Sequence, residues 1–218
     1  MENTKTMILN MLIKRYFNLA QKYQRCHVGS GISALKIIDD IYKQKKPNDI
    51  FILSCGHASL AWYVILEKYL GIDAEELLKL YRIHPNRDMS RGIFCSSGSL
   101  GHGLGIAIGA ALANRDIHVY CLISDGECSE GSIFEGLRII KEQKINNIKV
   151  HVNLNGFSAY EILDSDYYEK ILAAFLPANQ LAIHKTDFYN LSFLNGVEAH
   201  YHRVTKEDLA QVYEKFIC

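Results

Sequence analysis

The sequence predicts an α/β fold in which helices cover both faces of a parallel β-sheet. Short apolar runs typical of buried strands occur at 50–53, 118–123 and 148–154, and helical segments separate them. Strands that alternate with helices form parallel sheets covered on both faces. Each run ends in a turn that carries glycine and polar residues. Ligands of such sheets bind beyond the carboxyl ends of the strands, so the three turns mark one candidate site.

Apolar and small residues at helical spacing define the remaining elements. The predicted helices are 4–23, 33–42, 58–69, 73–80, 100–114 and 132–144. A glycine-rich turn at 26–31 opens the second of them, and Asp73 is the expected N-cap of the fourth. Gly and Ala dominate 100–114, which suits a helix that packs closely against another backbone or lies at an interface. Residues 84–99 contain few apolar side chains and are predicted to form a long loop.

Length and composition predict a single globular domain over residues 1–218, because no linker or low-complexity stretch divides the chain. The formal net charge is zero, which gives no general reason to expect nucleic acid or an anionic membrane as a partner. The six cysteines form no CxxC pair, and there is no signal-peptide segment and no apolar run of membrane-spanning length. These features predict a cytoplasmic protein.

Asp125 and Asn155 follow the second and third predicted strands and stand thirty residues apart. Carboxylate and amide oxygens are the ligands that Mg²⁺ or Ca²⁺ prefers, and an open coordination sphere would leave positions for diphosphate oxygens and water. Gly126 lets the backbone approach a ligand, and the N-terminus of the next helix favours an anion. Asp-Gly and Asn-Gly are also among the commonest turn dipeptides. Taken alone, these residues leave a metal site and two ordinary turns as alternatives.

Three of the nine histidines lie in predicted loops beside glycine or proline. A single histidine in such a place is more often a surface or core residue than a ligand. His27, His57 and His84 together, upstream of a diphosphate site, suggest a pocket lined by neutral imidazoles. Such a pocket could bond the hydroxyls of a sugar or move protons.

Six short motifs occur in order along the chain. They are CHVG at 26–29, SCGHA at 54–58, HP at 84–85, GSLGHG at 98–103, DGECSEGSIFE at 125–135 and NG at 155–156. This series resembles the N-terminal, thiamine diphosphate-binding domain of transketolase, and the HP pair stands fourteen residues before Gly98 as it does in that family. One such motif would be weak evidence, whereas six in family order are specific. The resemblance implies the thiamine diphosphate-binding fold.

The resemblance also implies which residues hold the cofactor and its metal. The side chains of Asp125 and Asn155 and the main-chain carbonyl of Phe157 would coordinate Mg²⁺ or Ca²⁺. The residues implied to contact or border thiamine diphosphate are His57, Gly98, Ser99, Leu100, Asp125, Gly126, Glu127 and Asn155. The dipole of the following helix is by itself a sufficient explanation for Glu127.

A further set of residues is implied to act in catalysis. His27 and His84 would contact hydroxyls of the sugar donor near the reacting carbon. The SFLNGVEAH segment at 192–200 resembles the one that closes this domain, which makes His200 another active-site histidine. Glu130 and Glu135 would belong to an acidic network that links the two active sites of the assembled enzyme.

The chain departs from the family pattern at several positions. Ser124 replaces the first glycine of the GDG motif, His102 replaces a glutamine, and Asn153 replaces an acidic residue two positions before Asn155. Only 63 residues follow Asn155, and they contain no GHD motif. We therefore expect the family's GHD-bearing helix–strand unit to be missing, so that either the sheet is smaller or a partner covers its edge.

One chain of this kind is not expected to be active alone. In the family, a glutamate on a separate pyrimidine-binding domain starts the chemistry, and nothing in this sequence resembles that domain. The resemblance therefore implies the N-terminal subunit of a two-component transketolase, a two-plus-two heterotetramer with a C-terminal, pyrimidine-binding subunit. Such an enzyme transfers a two-carbon ketol unit from a ketose to an aldose, with sugars or sugar phosphates as substrates.

Two alternatives stay open. One is the diphosphate-binding subunit of another thiamine diphosphate enzyme, which the sugar-contacting histidines disfavour. The other is a non-catalytic or regulatory scaffold subunit of the same fold. Ser124 and the shortened C-terminal part favour the scaffold, whereas Asp125, Asn155 and the three histidines oppose it.

Overall fold

The computed structural model describes residues 2–158 and 161–217, without the side chains at 2, 3, 198 and 200. It confirms the predicted fold class. Parallel strands form a sheet in the order β1-β2-β3-β4, with β1 at Ile50–Leu53, β2 at Val119–Ser124, β3 at Ile148–Leu154 and β4 at Leu181–Lys185. Ser124 pairs with Asn153 at the carboxyl end of the sheet. The segments that follow β2 and β3 therefore leave the sheet side by side.

Helices surround this sheet. They are α1 (Glu2–Lys22), α2 (Val28–Gln44), α3 (Ser59–Leu70), α4 (Ala74–Tyr81), α5 (His102–Ala113), α6 (Gly131–Glu142), α7 (Ser165–Ala173) and α8 (Lys206–Lys215). Short 3₁₀ turns occur at Gly56–Ala58, Met89–Arg91, Gly126–Ser129 and Val197–His200. The six helices predicted from the sequence correspond to α1 to α6, and Asp73 caps α4 as expected.

Helix α2 begins at Val28, five residues before the predicted start. The glycine-rich sequence at 26–31 predicts a turn, since glycine is unfavourable in a helix. Gly31 is nevertheless helical, and it has a packing reason to be glycine. The Tyr16 hydroxyl donates to the Val28 carbonyl over 2.9 Å. A Cβ at Gly31 would lie 2.2 Å from that hydroxyl oxygen, so only glycine lets α1 and α2 approach this closely.

Strand side chains alternate between two apolar cores, one on each face of the sheet. On one face the strand residues Phe51, Leu53, Tyr120 and Leu122 pack with α1 to α4 and α8. On the other face Ile52, Cys121, Ile123, Val150 and Val152 pack with α5, α6 and α7. Cys121 is fully buried and Cys55 is 1% exposed, so both pack as small apolar side chains.

The sequence pattern did not predict β4, α7 or α8. A helix–strand unit therefore does follow Asn155, although it carries no GHD sequence. The sequence does not predict strand β4, because only one face of the strand is apolar and no continuous apolar run marks it. Leu181 is buried, whereas His184 lies on the opposite face with its Nε2 3.0 Å from Nδ1 of His151.

No helix in the described part of the chain combines the length and the apolar character that a bilayer crossing requires.

Candidate functional site

A cavity of about 360 Å³ lies at the carboxyl ends of the strands. Its lining residues are His27, Ser30, His57, His84, Gly98, Leu100, Ser124, Asp125, Gly126, Phe157, Ser158 and Tyr201. The fold thus brings together motif residues that lie far apart in the sequence. The cavity opens where the predicted site belongs, beyond the ends of β1, β2 and β3.

Asp125 is 1% exposed and lies directly after β2. Its Oδ2 accepts backbone N–H bonds from Asn155 at 2.8 Å, Gly156 at 2.7 Å and Phe157 at 3.3 Å, and Oδ1 accepts from Gly126 at 3.0 Å. Burial raises the pKa of this carboxyl to about 6, and the backbone donors lower it by less. The group is therefore a buried anion at neutral pH.

Asn155 is 9% exposed and meets Asp125 at the turn after β3. Its Oδ1 accepts from the Phe157 N–H at 3.1 Å, and the same N–H also points at Asp125 Oδ2. The amide oxygen and the carboxylate therefore share a donor and lie close together. The Phe157 ring stacks on Phe188 with centroids 5.4 Å apart, which fixes the start of this segment. The role of the Phe157 carbonyl as a ligand stays a prediction.

Two observations test whether these residues fit a metal-bound diphosphate. The Asp125 carboxylate is buried, and its hydrogen bonds come from neutral backbone N–H groups of two turns. Burying a charge is costly, so a cation beside the carboxylate would offset that cost. At Gly126, the nearest atom to an added Cβ is Ser158 Cα at 3.8 Å, so packing does not require glycine there. A side chain at that position would instead take up space beside the cavity. Both observations fit a diphosphate held through a divalent metal.

The described residues contain no group of three or more His, Cys, Asp or Glu side chains that could hold a metal. Mg²⁺ is usually bound by one or two carboxylates together with substrate phosphates and water. One carboxylate and one amide from the protein suit that pattern, because they would leave the remaining positions to diphosphate oxygens and water.

His27, His57 and His84 all line the cavity. The rings of His27 and His57 have centroids 5.3 Å apart. His27 has φ 60° and ψ 29°, a left-handed conformation that is uncommon outside glycine and that is often found at functional sites. Burial lowers the pKa of His84, which favours its neutral form. A Cβ at Gly98 would lie 2.9 Å from Cγ of His84, so this glycine lets the imidazole lie directly against the loop.

Residues 8–179 match the protein family described as "Transketolase, thiamine diphosphate binding domain". The chain belongs to this family. The match includes every motif from CHVG to NG, and it ends before SFLNGVEAH.

Several relatives are similar over more than half of the chain. A protein of Phocaeicola vulgatus, named as one of the subunits of apulose-4-phosphate transketolase, is 30% identical over 162 residues, which are 65% of this chain and 57% of that protein. The protein of the same name from Actinobacillus succinogenes is 30% identical over 68% of this chain and 63% of its own length. Human transketolase is 34% identical over 52% of this chain and 20% of its own length. The chain thus spans less than two thirds of these relatives.

Among solved structures, transketolase from Leishmania mexicana superposes with a TM-score of 0.75. The superposition covers 97% of this chain and 41% of that protein, at 18% sequence identity. It therefore supports the fold of the thiamine diphosphate-binding domain.

Glu127 lies behind the cavity rather than in its wall. It is fully buried, and burial raises its pKa. Its Oε1 accepts from the Ser54 hydroxyl at 2.5 Å and from the Gly101 N–H at 2.9 Å, and Oε2 accepts from the Ser124 N–H at 3.0 Å. The carboxylate therefore joins the ends of β1 and β2 to the start of α5. Its position supports the walls of the cavity.

Some transketolase-like positions do not reach the cavity within this chain. Ser99 is exposed in the loop before α5, and Glu130 is exposed at the start of α6. The side chain of Glu135 is 66% exposed and lies 3.8 Å from Arg138. The two glutamates thus face outward, and their predicted role in linking two active sites stays a prediction. The side chain of His200 lies outside the described part of the chain.

Several residues that shape the site were not predicted from the sequence. Ser30, Ser158 and Tyr201 line the cavity, and the Tyr201 ring centroid lies 6.3 Å from that of His27. Tyr201 follows the SFLNGVEAH segment directly, so extending that motif by one residue would have found it. Ser124, a departure from the GDG motif, accepts the Glu127 N–H at 3.4 Å and leaves Asp125 at the strand end.

Proposed function

We propose that this chain is the diphosphate-binding N-terminal subunit of a two-component transketolase that uses thiamine diphosphate and a divalent metal. One observation carries the proposal. The Asp125 carboxylate and the Asn155 amide oxygen share the Phe157 N–H as donor, and Asp125 lines the same cavity as three histidines. Two relatives are named as single subunits of a transketolase, and the chain covers 57% and 63% of their lengths. These matches support a protein that acts with a second chain.

In this proposal Asp125, Asn155 and the Phe157 carbonyl hold Mg²⁺ or Ca²⁺, which in turn holds the diphosphate. Gly126 leaves the space that the diphosphate needs, and His57, Gly98 and Leu100 border the cofactor. Glu127 supports this wall from behind, and Ser99 lies beside it in the loop before α5. When bound, thiamine diphosphate supplies the electron sink for breaking the carbon–carbon bond next to a ketose carbonyl.

The histidines contribute hydrogen bonds and proton movement. A neutral imidazole accepts at its unprotonated ring nitrogen and donates at the other, so it can bond a sugar hydroxyl in either sense. His27, His84 and His200 are proposed to do this for the donor sugar. The lowered pKa of His84 favours the neutral form that such exchange requires.

The partner is proposed to be a C-terminal, pyrimidine-binding subunit in a two-plus-two heterotetramer, with Glu130 and Glu135 at the contact that links the active sites. Residues 1–218 are proposed to act as one domain. The described cysteines are all free thiols, which supports a reducing, cytoplasmic location. The substrates are proposed to be sugars or sugar phosphates.

Calorimetry on the chain co-produced with its partner tests the proposal. We expect thiamine diphosphate to bind only when Mg²⁺ is present. Asp125→Ala should abolish that binding, while Asp116→Ala, which removes an exposed carboxylate, should leave it unchanged. The wild-type complex should also transfer a two-carbon unit from a ketose to an aldose.

Two results would count against the proposal in different ways. Metal-independent binding, or none at all, would contradict the cofactor site. Normal metal-dependent binding without ketol transfer would instead favour another thiamine diphosphate reaction or a scaffold role.

A further inference from the structure

A chain of buried polar side chains crosses from α2 to β3 behind the metal-binding turn. Ser33 is 3% exposed on α2, and Asn153 is fully buried in β3. The Thr186 hydroxyl donates to Asn153 Oδ1 at 2.6 Å, and Asn153 Nδ2 donates to Ser33 Oγ at 2.9 Å. Ser33 Oγ also accepts from Asn155 Nδ2 at 3.4 Å. The residue that would bind the metal is therefore tied to a helix 122 positions earlier in the sequence.

The hydrogen-bond capacity of Ser33 determines which end of the Asn155 amide faces it. A serine hydroxyl has one hydrogen and two lone pairs. The hydrogen is donated to the Ser30 carbonyl at 3.1 Å. Towards Asn155 the hydroxyl can therefore only accept, so it selects the NH₂ end of the amide.

A backbone donor fixes the oxygen end of the Asn155 amide. Asn155 Oδ1 accepts the Phe157 N–H at 3.1 Å, on the side of the turn where Asp125 lies. A divalent cation needs an oxygen ligand there, and a rotated amide would present two N–H donors instead. Ser33 and the Phe157 N–H thus hold the amide in the orientation that presents oxygen.

We propose that Ser33 is a positioning residue for the metal site, which orients the Asn155 amide so that its oxygen faces the cation. This inference rests on the proposed function, since it assumes that Asn155 binds the metal. Asn153 extends this chain of hydrogen bonds, because it donates to Ser33 and accepts from Thr186. It thereby connects α2 to the segment after β4. Outer partners that orient metal ligands typically change metal affinity by about 10- to 100-fold when they are removed.

The experiment measures Mn²⁺ binding, in place of Mg²⁺, by the complex of the full chain with its partner in the presence of thiamine diphosphate. The electron paramagnetic resonance signal of free Mn²⁺ reports the bound fraction. Ser33→Ala should weaken Mn²⁺ binding by about tenfold. The matched control is Ser59→Ala, which removes an equally buried helical hydroxyl that donates to the Ile83 carbonyl at 2.7 Å. It should leave Mn²⁺ affinity unchanged.

Testing Ser33→Ala in an Asn155→Asp variant separates the loss of amide orientation from general damage to the fold. In Asn155→Asp both terminal atoms are oxygens, so the orientation of the group no longer matters. There, Ser33→Ala should change Mn²⁺ affinity by less than about twofold. Thermal unfolding of each variant, compared with Ser59→Ala, shows whether the fold is retained.

The outcomes are distinct. An equal loss from Ser33→Ala in both backgrounds, or no loss in either, would overturn the orienting role while leaving the proposed function intact. A wild-type complex that binds no Mn²⁺ with thiamine diphosphate would reject the proposed function and this inference with it.

Discussion

Two buried carboxylates lie two residues apart in the turn after β2, and their surroundings differ in kind. Glu127 accepts from a side-chain hydroxyl and from backbone N–H groups that belong to separate parts of the fold. Asp125 accepts from the N–H groups of its own turn and of the neighbouring turn at 155–157, and it lines the cavity. Glu127 joins separate elements of the fold, whereas Asp125 is buried at the wall of the cavity, where it could contact a ligand.

Burial alone therefore does not identify a ligand-binding acid. Burial raises the pKa of both groups. What differs is where each carboxylate points and whether it lines a space large enough for a ligand. We expect Glu127 to stabilise the fold and Asp125 to bind the metal that holds the cofactor.

The largest expected effect is on Glu127. Glu127→Ala leaves three buried donors, on Ser54, Gly101 and Ser124, without their acceptor. Each unsatisfied buried donor costs about 1–3 kcal/mol, so we expect the free energy of unfolding to fall by at least about 3 kcal/mol. Urea denaturation measures this loss. Glu130→Ala, on the exposed start of α6, should change the free energy by no more than about 0.5 kcal/mol. Equal losses for the two variants would show that Glu127 does not join these elements.

The next effect is the pH dependence that Asp125 gives to the metal-free chain. The folded-state pKa of about 6 lies above the ordinary value of 3.8, so between these pH values the native state binds more protons than the unfolded chain. Stability therefore falls as the pH rises through this window, and the cost is fully present above about pH 6. For a shift of this size, the cost is of the order of 3 kcal/mol.

Urea denaturation between pH 4 and pH 7 in the presence of a chelator tests that dependence. Asp125→Asn, which cannot ionise, should lose this contribution, and the difference between wild type and variant should grow as the pH rises. A parallel pH profile for the two proteins would mean that the Asp125 carboxylate carries no such cost. Mg²⁺ with thiamine diphosphate should reduce the wild-type penalty, because the cation favours the ionised carboxylate.

The sequence was sufficient to predict the residues at the strand ends. Asp125 and Asn155 follow apolar runs, and a parallel sheet brings such positions to one edge. Residues whose role depends on a partner far away in the sequence are not marked by any comparable sequence pattern. Ser33 looks like any polar residue of an amphipathic helix, and its partners lie 120 and 122 positions away.

Glu127 and β4 show two further reasons why sequence reasoning is incomplete. An acid at the start of a helix is explained equally well by the helix dipole, so nothing marked Glu127 as buried. In β4 the face that carries Ala182 and His184 borders a polar region, where His184 contacts His151, so the strand lacks a continuous apolar pattern. Only tertiary packing reveals either feature.

The smallest expected effect contrasts two glycines, one behind the cavity and one beside it. A Cβ at Gly103 would lie 2.5 Å from Ser54 Cα, so Gly103→Ala should destabilise the fold by about 1–3 kcal/mol because α5 must move away from β1. At Gly126 the nearest atom to an added Cβ is 3.8 Å away, so Gly126→Ala should change stability by no more than about 0.5 kcal/mol. It should nevertheless weaken thiamine diphosphate binding by about tenfold, because the methyl group takes up space meant for the diphosphate. Calorimetry and urea denaturation on both variants separate the two outcomes. Unchanged cofactor affinity in Gly126→Ala would mean that the diphosphate lies elsewhere, since a group packed against that backbone could not tolerate the methyl.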